Sequence, residues 1–165
     1  MKFRVEVLGE EVFNRAFNRI DSLSDLRPVF PPLIDEFYRI EQEQFDSEGA
    51  AGGQRWQKLS DNYVPRKEKQ FGSLPILQAT GDLMASLTDF EAPDVVLRIT
   101  PDELGIGTNV PYAIYHQSRR SRKKLPRRPL VNFSEAQKRR MQKAVQLGLV
   151  QFIRQAGFRV EEGAA

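Results

Sequence analysis

The chain has 165 residues, 40% hydrophobic and 28% charged, with 25 Lys and Arg against 22 Asp and Glu for a formal net charge of +3. That size and composition point to one domain, 1–165, with a modest core, and no run approaches the roughly 20 apolar residues that a membrane-spanning helix needs. The chain has no cysteine, which excludes disulfide stapling, thiolate chemistry and Cys-based metal sites and is in keeping with assembly in a reducing, intracellular compartment.

Residues 1–8 alternate Phe3, Val5 and Val7 with Lys2, Arg4 and Glu6, the period of a half-buried strand, without the apolar stretch of a signal peptide. After Gly9, Glu10 and Glu11 open a helix to Ile20, where carboxylates suit the positive end of the helix dipole. Val12, Phe13, Ala16, Phe17 and Ile20 form its apolar face. A second helix, 32–45, starts near Pro31-Pro32; Leu33, Ile34, Phe37, Tyr38 and Ile40 point inward, and Glu36, Arg39, Glu41 and Glu43 face water. Gly49, Gly52 and Gly53 mark 45–54 as a flexible loop.

Ser60 is placed to cap a short helix running to Gln70, with Pro65 inside it. Thr80 or Gly81 caps another through Leu87, with Leu83 and Leu87 inward. Strand-like pieces follow at 87–91, 95–100 and 104–108, separated by Pro93-Asp94 and Pro101-Asp102, the punctuation of an antiparallel meander. Ser134 and Gln137 form a capping box at the start of a C-terminal helix, 134–155, whose apolar face is Met141, Val145, Leu149, Val150 and Ile153. Lys138, Arg139, Arg140 and Lys143 crowd its first half against the dipole, which calls for an acidic neighbour or solvent. Gly157 ends the helix and 158–160 reads as a short strand. The expected fold is α+β: an antiparallel sheet of about four strands (1–8, 87–91, 95–100, 104–108) packed by two or three helices, with long polar loops.

The most uneven charge lies in an extended loop, 111–132. Arg119, Arg120, Arg122, Lys123, Lys124, Arg127 and Arg128 fall within ten residues that hold no acid. Such a run is either a solvated loop or a surface for an acidic partner or for DNA phosphates; without interleaved aromatics or a helix-turn-helix frame, any DNA contact is to the backbone. Gly105-Ile106-Gly107 lacks the third glycine and the strand-to-helix context of a dinucleotide loop, and eases a strand end instead. His116 is the only histidine. It has no cysteine partner and no second His for zinc, so a structural role is favoured over a contact role, and both over a hydrolase. Asp82, Asp89, Asp94 and Asp102 sit at turns and caps. Trp56, Tyr112 and Tyr115 lie off the periodic faces, as satellite core or as interface anchors. No catalytic constellation, metal site or cofactor is expected.

Four segments carry a family pattern in order. They are Phe45…Gly53…Arg55-Trp56-Gln57-Lys58-Leu59-Ser60; Ile76-Leu77-Gln78-Ala79-Thr80-Gly81-Asp82-Leu83-Met84-Ala85-Ser86; Gly107-Thr108-Asn109…Tyr112-Ala113…His116-Gln117; and Leu125-Pro126-Arg127-Arg128-Pro129-Leu130. From about Phe37 to Phe133 the chain resembles the phage virion morphogenesis family, tail completion proteins typified by the G protein of phage Mu and the S protein of phage P2. Members of the family carry a glycine after the His-Gln pair, where this chain has Ser118, and read Pro-Ala-Arg-Pro-Phe-Leu around Pro126–Leu130, where this loop is more basic.

The resemblance implies a non-enzymatic virion protein of a tailed phage or prophage, assembled in the host bacterial cytoplasm and acting late, at the neck or the head-proximal end of the tail. It implies small α+β subunits in a homo-oligomeric ring, a hexamer in expectation, around the DNA channel. Its partners would be neck, connector or tail tube proteins. Trp56, Tyr112, Tyr115, His116 and Gln117 are the candidate interface residues, and the basic run 119–128 the candidate contact to DNA or an acidic partner. The alternative is a free nucleic-acid-binding module using that same loop.

Overall fold

Two prolines start the helix against which two other helices and two 3-10 turns pack. The structure, a computed structural model, describes residues 25–120, 122 and 125–155; the expected strand at 1–8, helix at 10–20 and strand at 158–160 lie outside them. In order come a 3-10 turn at Arg27–Val29, α1 Pro31–Asp46, a 3-10 turn at Ala50–Gly52, α2 Val64–Phe71, α3 Asp82–Thr88, β1 Val95–Ile99, β2 Leu104–Thr108, α4 Ala113–Gln117 and α5 Glu135–Gln155. Helix α1 carries proline in its first turn, where no intrahelical N–H is required.

Helix α1 is covered on two sides, by α5 and by α3. That is why the periodic reading of its polar face fails: Glu36 and Glu41, expected in water, are buried together with Gln44. Ile40 and Phe45 lose all exposure, and each stabilises the fold by roughly 2–3 kcal/mol relative to an exposed side chain. Phe37 meets Tyr38 and Phe133 edge-on, and Phe45 meets Trp56 edge-on at 5.3 Å. Leu83 and Leu87 of α3 complete this core from the other side, with Val110, Ala113 and Leu130.

The glycine-bearing segment after α1 is a packed turn. Ser47, Glu48 and Gly49 donate back to the carbonyls of Glu43, Phe45 and Gln44, and Trp56 N donates to the Glu48 carbonyl at 2.7 Å. Gly49 has φ +90°, and a Cβ there would press into the Trp56 ring, so only glycine lets the indole lie against the turn. Helix α2 starts later than expected. Its N-cap is Tyr63 and not Ser60, whose carbonyl accepts from Tyr63 N and Val64 N in the preceding turn, and Pro65 occupies the first turn.

The sheet among the described residues is one antiparallel hairpin, registered from Val95 opposite Thr108 to Ile99 opposite Leu104. The expected strand at 87–91 is a correction. Gly81, at φ +88°, caps α3, and Leu83, Ser86 and Leu87 bury at helical spacing. Asp89 N then closes on the Ala85 carbonyl, and Asp89 Oδ1 accepts from Glu91 N, so the segment turns. Ser86 Oγ and Thr108 Oγ1, 2.7 Å apart, join α3 to β2.

Helix α5 opens with the expected capping box: Ser134 N donates to Gln137 Oε1 at 3.0 Å, and Gln137 N donates to Ser134 Oγ. Its buried face differs from the expected one. Gln137, Ala144 and Gly148 are buried, while Met141, Val145, Leu149, Val150 and Ile153 are half-buried. A Cβ on Gly148 would collide with the Val29 carbonyl oxygen, so the small residues set how closely α5 approaches. In the basic first half of α5, Arg140 finds its acids on α1, and Lys138 pairs with Glu135 of its own helix. Arg140 Nε donates to Glu36 Oε1 at 2.7 Å, and its two terminal nitrogens donate to Glu43 at 2.8 Å each. Arg39 also pairs with Glu36.

Candidate functional site

After β2 the chain turns at 109–112 into α4, which is too short to bury more than one face. Ala113 and His116, three apart, point inward; Tyr112, Ile114 and Tyr115 point to solvent, Ile114 at 65% exposure. Gln117 is a clip. Its Nε2 donates to the Val131 carbonyl at 2.9 Å, and its Oε1 accepts from Leu130 N and Val131 N. The return limb of the loop lies on α4, with Arg128 N donating to the His116 carbonyl at 3.2 Å. Its root is held from beneath, where the Pro129 carbonyl accepts from Trp56 Nε1 at 2.8 Å and Gln44 Nε2 at 3.2 Å.

The structure divides the basic run. Arg128 is buried, and its guanidinium donates to the carbonyls of Gln57 at 2.8 Å and Lys58 at 3.3 Å. Arg127 Nε donates to the Gln117 carbonyl. Arg122 lies over the Tyr115 ring, 4.2 Å from its centroid, a cation–π contact. Arg119 and Arg120 are exposed. Lys123 and Lys124 lie outside the described residues. Trp56 is 3% exposed and belongs to the core; it positions the loop from below.

Between this loop and the 57–82 stretch lies an open groove of about 1140 Å³. Lys58, Lys67, Arg122 and Arg128 line it against two acids, Asp61 and Asp82, and Tyr63, Tyr112 and Tyr115 supply aromatic wall. Lys67 is buried, its Nζ donating to the Leu74 and Pro75 carbonyls at 2.6 and 2.5 Å. Burial pushes the Lys67 ammonium and the Arg128 guanidinium below their ordinary values. The same cause, then Arg128 and Arg122, lowers His116 and holds its imidazole neutral at neutral pH. Its buried Nδ1 has no hydrogen-bond partner. Two of these four cations, Lys67 and Arg128, thus direct their hydrogen bonds to carbonyls, while Lys58 and Arg122 stand closer to solvent. The groove is suited to receive an anionic group beside an apolar one.

Of the candidate residues, Tyr112, Tyr115, His116, Arg122 and Arg128 line the groove, whereas Trp56, Gln117, Arg119, Arg120 and Arg127 do not. Lys58 of the facing wall stands in the family segment 55–60 without being singled out as a contact, and nothing in the local pattern of Tyr63 and Lys67 separates them from the other charged and aromatic residues of 61–71. Among the described residues no group of three or more His, Asp or Glu could hold a metal ion, and no helix is long and apolar enough to cross a membrane.

A family model described as the phage virion morphogenesis family matches residues 9–149. Neither a curated protein nor a solved structure matches the chain significantly. The matched span takes in α1, the hairpin, the groove and most of α5. On that match the chain belongs to the phage virion morphogenesis family, and its role is in building the phage virion.

Proposed function

We propose that this protein is a structural subunit of the head–tail neck, acting in tail completion and head–tail joining as a homo-oligomeric ring around the DNA channel. Six copies is the expected number, and the neighbours are other neck, connector or tail tube proteins. The observation that carries the reading is the family match over 9–149. The surface of α4 supports it: Tyr112, Ile114 and Tyr115 are exposed beside Arg119 and Arg120, and tyrosine and arginine are the residues that anchor protein interfaces.

The test is complementation in extracts. A phage lacking this gene should accumulate separate heads and tails, and added purified protein should restore joined particles countable by electron microscopy. Joined particles without the protein would sink the reading. Light scattering across concentration and salt then asks for a discrete oligomer.

A second reading, a nucleic-acid-binding module, draws on the acid-free run 119–128. It requires tight binding of DNA by the monomer, weakening linearly in log salt, and loss of that binding when the exposed arginines become serine.

A further inference from the structure

The turn that ends α3 carries an aromatic residue with little to pack on among the described residues. Phe90 is 64% exposed and has only a tilted contact with Tyr38 at 6.5 Å between ring centroids. The turn itself is held by polar contacts: Asp89 Oδ1 accepts from Glu91 N at 2.9 Å, and Ala92 N donates to the Asp89 carbonyl at 3.2 Å. A turn closed in this way needs no phenylalanine at its tip, where small polar residues serve better. Phe90 is therefore a knob flanked by two exposed carboxylates, Asp89 and Glu91.

The groove has the complementary chemistry. Among the described residues Lys58 and Arg122 are its accessible cations, Lys67 and Arg128 add positive charge from the buried wall, and tyrosines line it beside Asp61 and Asp82. We infer that the groove of one copy receives the Asp89-Phe90-Glu91 turn of a second copy, the ring between the tyrosines and the carboxylates against the cationic rim. This rests on the ring reading above and names its surface.

The layout of α3 rules out seating within one chain, and the match of opposite charges between the turn and the groove makes a second copy the occupant. Asp82, its first residue, lines the groove, and Phe90 lies two residues past its last. At a rise of about 1.5 Å per residue these points are roughly 12 Å apart, at opposite ends of one short rod. A chain cannot fold its own knob into its own groove across that rod. A contact between two different patches is heterologous, and when repeated it closes into a ring if the rotation allows.

The absence of cysteine makes a clean test. Full-length Ala92→Cys, beside the knob, and Ser60→Cys, on the groove lining, keep the Phe90 ring and the tyrosines; the two proteins are mixed in equal amounts and gently oxidised, and the heterodimer is counted. Ala92→Cys mixed with Leu147→Cys, on the exposed surface of α5, is the control. A second mix using Thr80→Cys, also on the lining, covers a rotated seating. The knob–groove pairs should exceed the control by roughly tenfold, and Asp89→Lys with Glu91→Lys should remove a similar factor by turning rim attraction into repulsion. Yields equal to the control in both mixes overturn the inference. If wild-type protein still scatters as a discrete oligomer, the ring reading stands on another surface. If it is a monomer at every concentration, the ring reading loses its support in solution as well.

Discussion

The indole N–H of Trp56 donates to the Pro129 carbonyl at 2.8 Å, joining residues 73 positions apart. Gln44 Nε2 shares that carbonyl, and the indole stands edge-on to Phe45. The basic loop therefore leaves the body from a fixed root. Trp56→Phe keeps most of the apolar contact and loses the donor, and should cost about 1–2 kcal/mol. Trp56→Ala also opens a cavity and should cost about 3–5 kcal/mol. Urea denaturation midpoints check both, and a small effect for the alanine variant would mean that the root is held by other contacts.

Glu41 has no exposed surface and no hydrogen-bond partner for either carboxylate oxygen. Burial pushes its carboxyl up to about 8 from 4.5. The folded state thus holds this proton more tightly than the unfolded chain does. The group's contribution is fully present below pH 4.5 and is lost as pH rises through 8. Between pH 4.5 and 7 the loss is on the order of 3 kcal/mol. Glu41→Gln should remove this slope. His116, lowered by burial, contributes with the opposite sign, losing stability as pH falls below 6.5, and it cancels in the comparison. Parallel melting curves from pH 5 to 8 for both proteins would refute the assignment.

Arg140 joins α5 to α1 by holding Glu36 and Glu43 at once. Glu36 is buried, so Arg140→Met leaves its charge with Arg39 alone and should cost about 2–3 kcal/mol. Glu36→Gln in that background should recover part of the loss, a coupling that a double-mutant cycle reads directly. The Arg140 hydrogen bond also holds the Glu43 carboxyl below its ordinary value. That contribution is present above pH 4.5 and lost as pH falls through the lowered value, so the acid side of the stability profile should flatten in Arg140→Met.

Much of the fold was legible where local chemistry decides it. Pro31-Pro32 started α1, Pro101-Asp102 turned the hairpin, Gly81 capped α3, and Ser134 with Gln137 opened α5. The misreadings have one source, that packing acts across the chain. Leu87 looks like the start of a strand until Leu83 and Ser86 bury beside it. Glu36 and Glu41 look solvated until two helices cover α1. The buried stripe of α5 was missed because hydrophobicity marks Val145 and Leu149, whereas close approach selects Ala144 and Gly148. Gly148→Ala tests that point. The added methyl meets the Val29 backbone and not a movable side chain. Despite alanine's better helix propensity, the variant should lose about 1–3 kcal/mol by overpacking. A gain in melting temperature would place α5 farther from the 27–29 turn.

The basic loop separates into residues that build it and residues that it presents, and the two groups should respond differently. Arg128 is buried and donates to two carbonyls of the facing wall. Arg128→Met should lower stability by about 2 kcal/mol through the hydrogen bonds lost, and weaken every binding event at the groove with it. Arg119 and Arg120 are exposed. Changing both to serine should leave stability within about 0.5 kcal/mol, as for most surface changes. It should nonetheless slow association with an acidic partner, most at low salt, because the steering field of exposed charges is screened over about 10 Å at 0.1 M. Particle joining in complementing extracts and association rates at two salt concentrations report this. If the double serine variant joins heads to tails at the wild-type rate at both salts, these two arginines do not steer assembly, and the loop's contribution lies in the groove that Arg128 holds together.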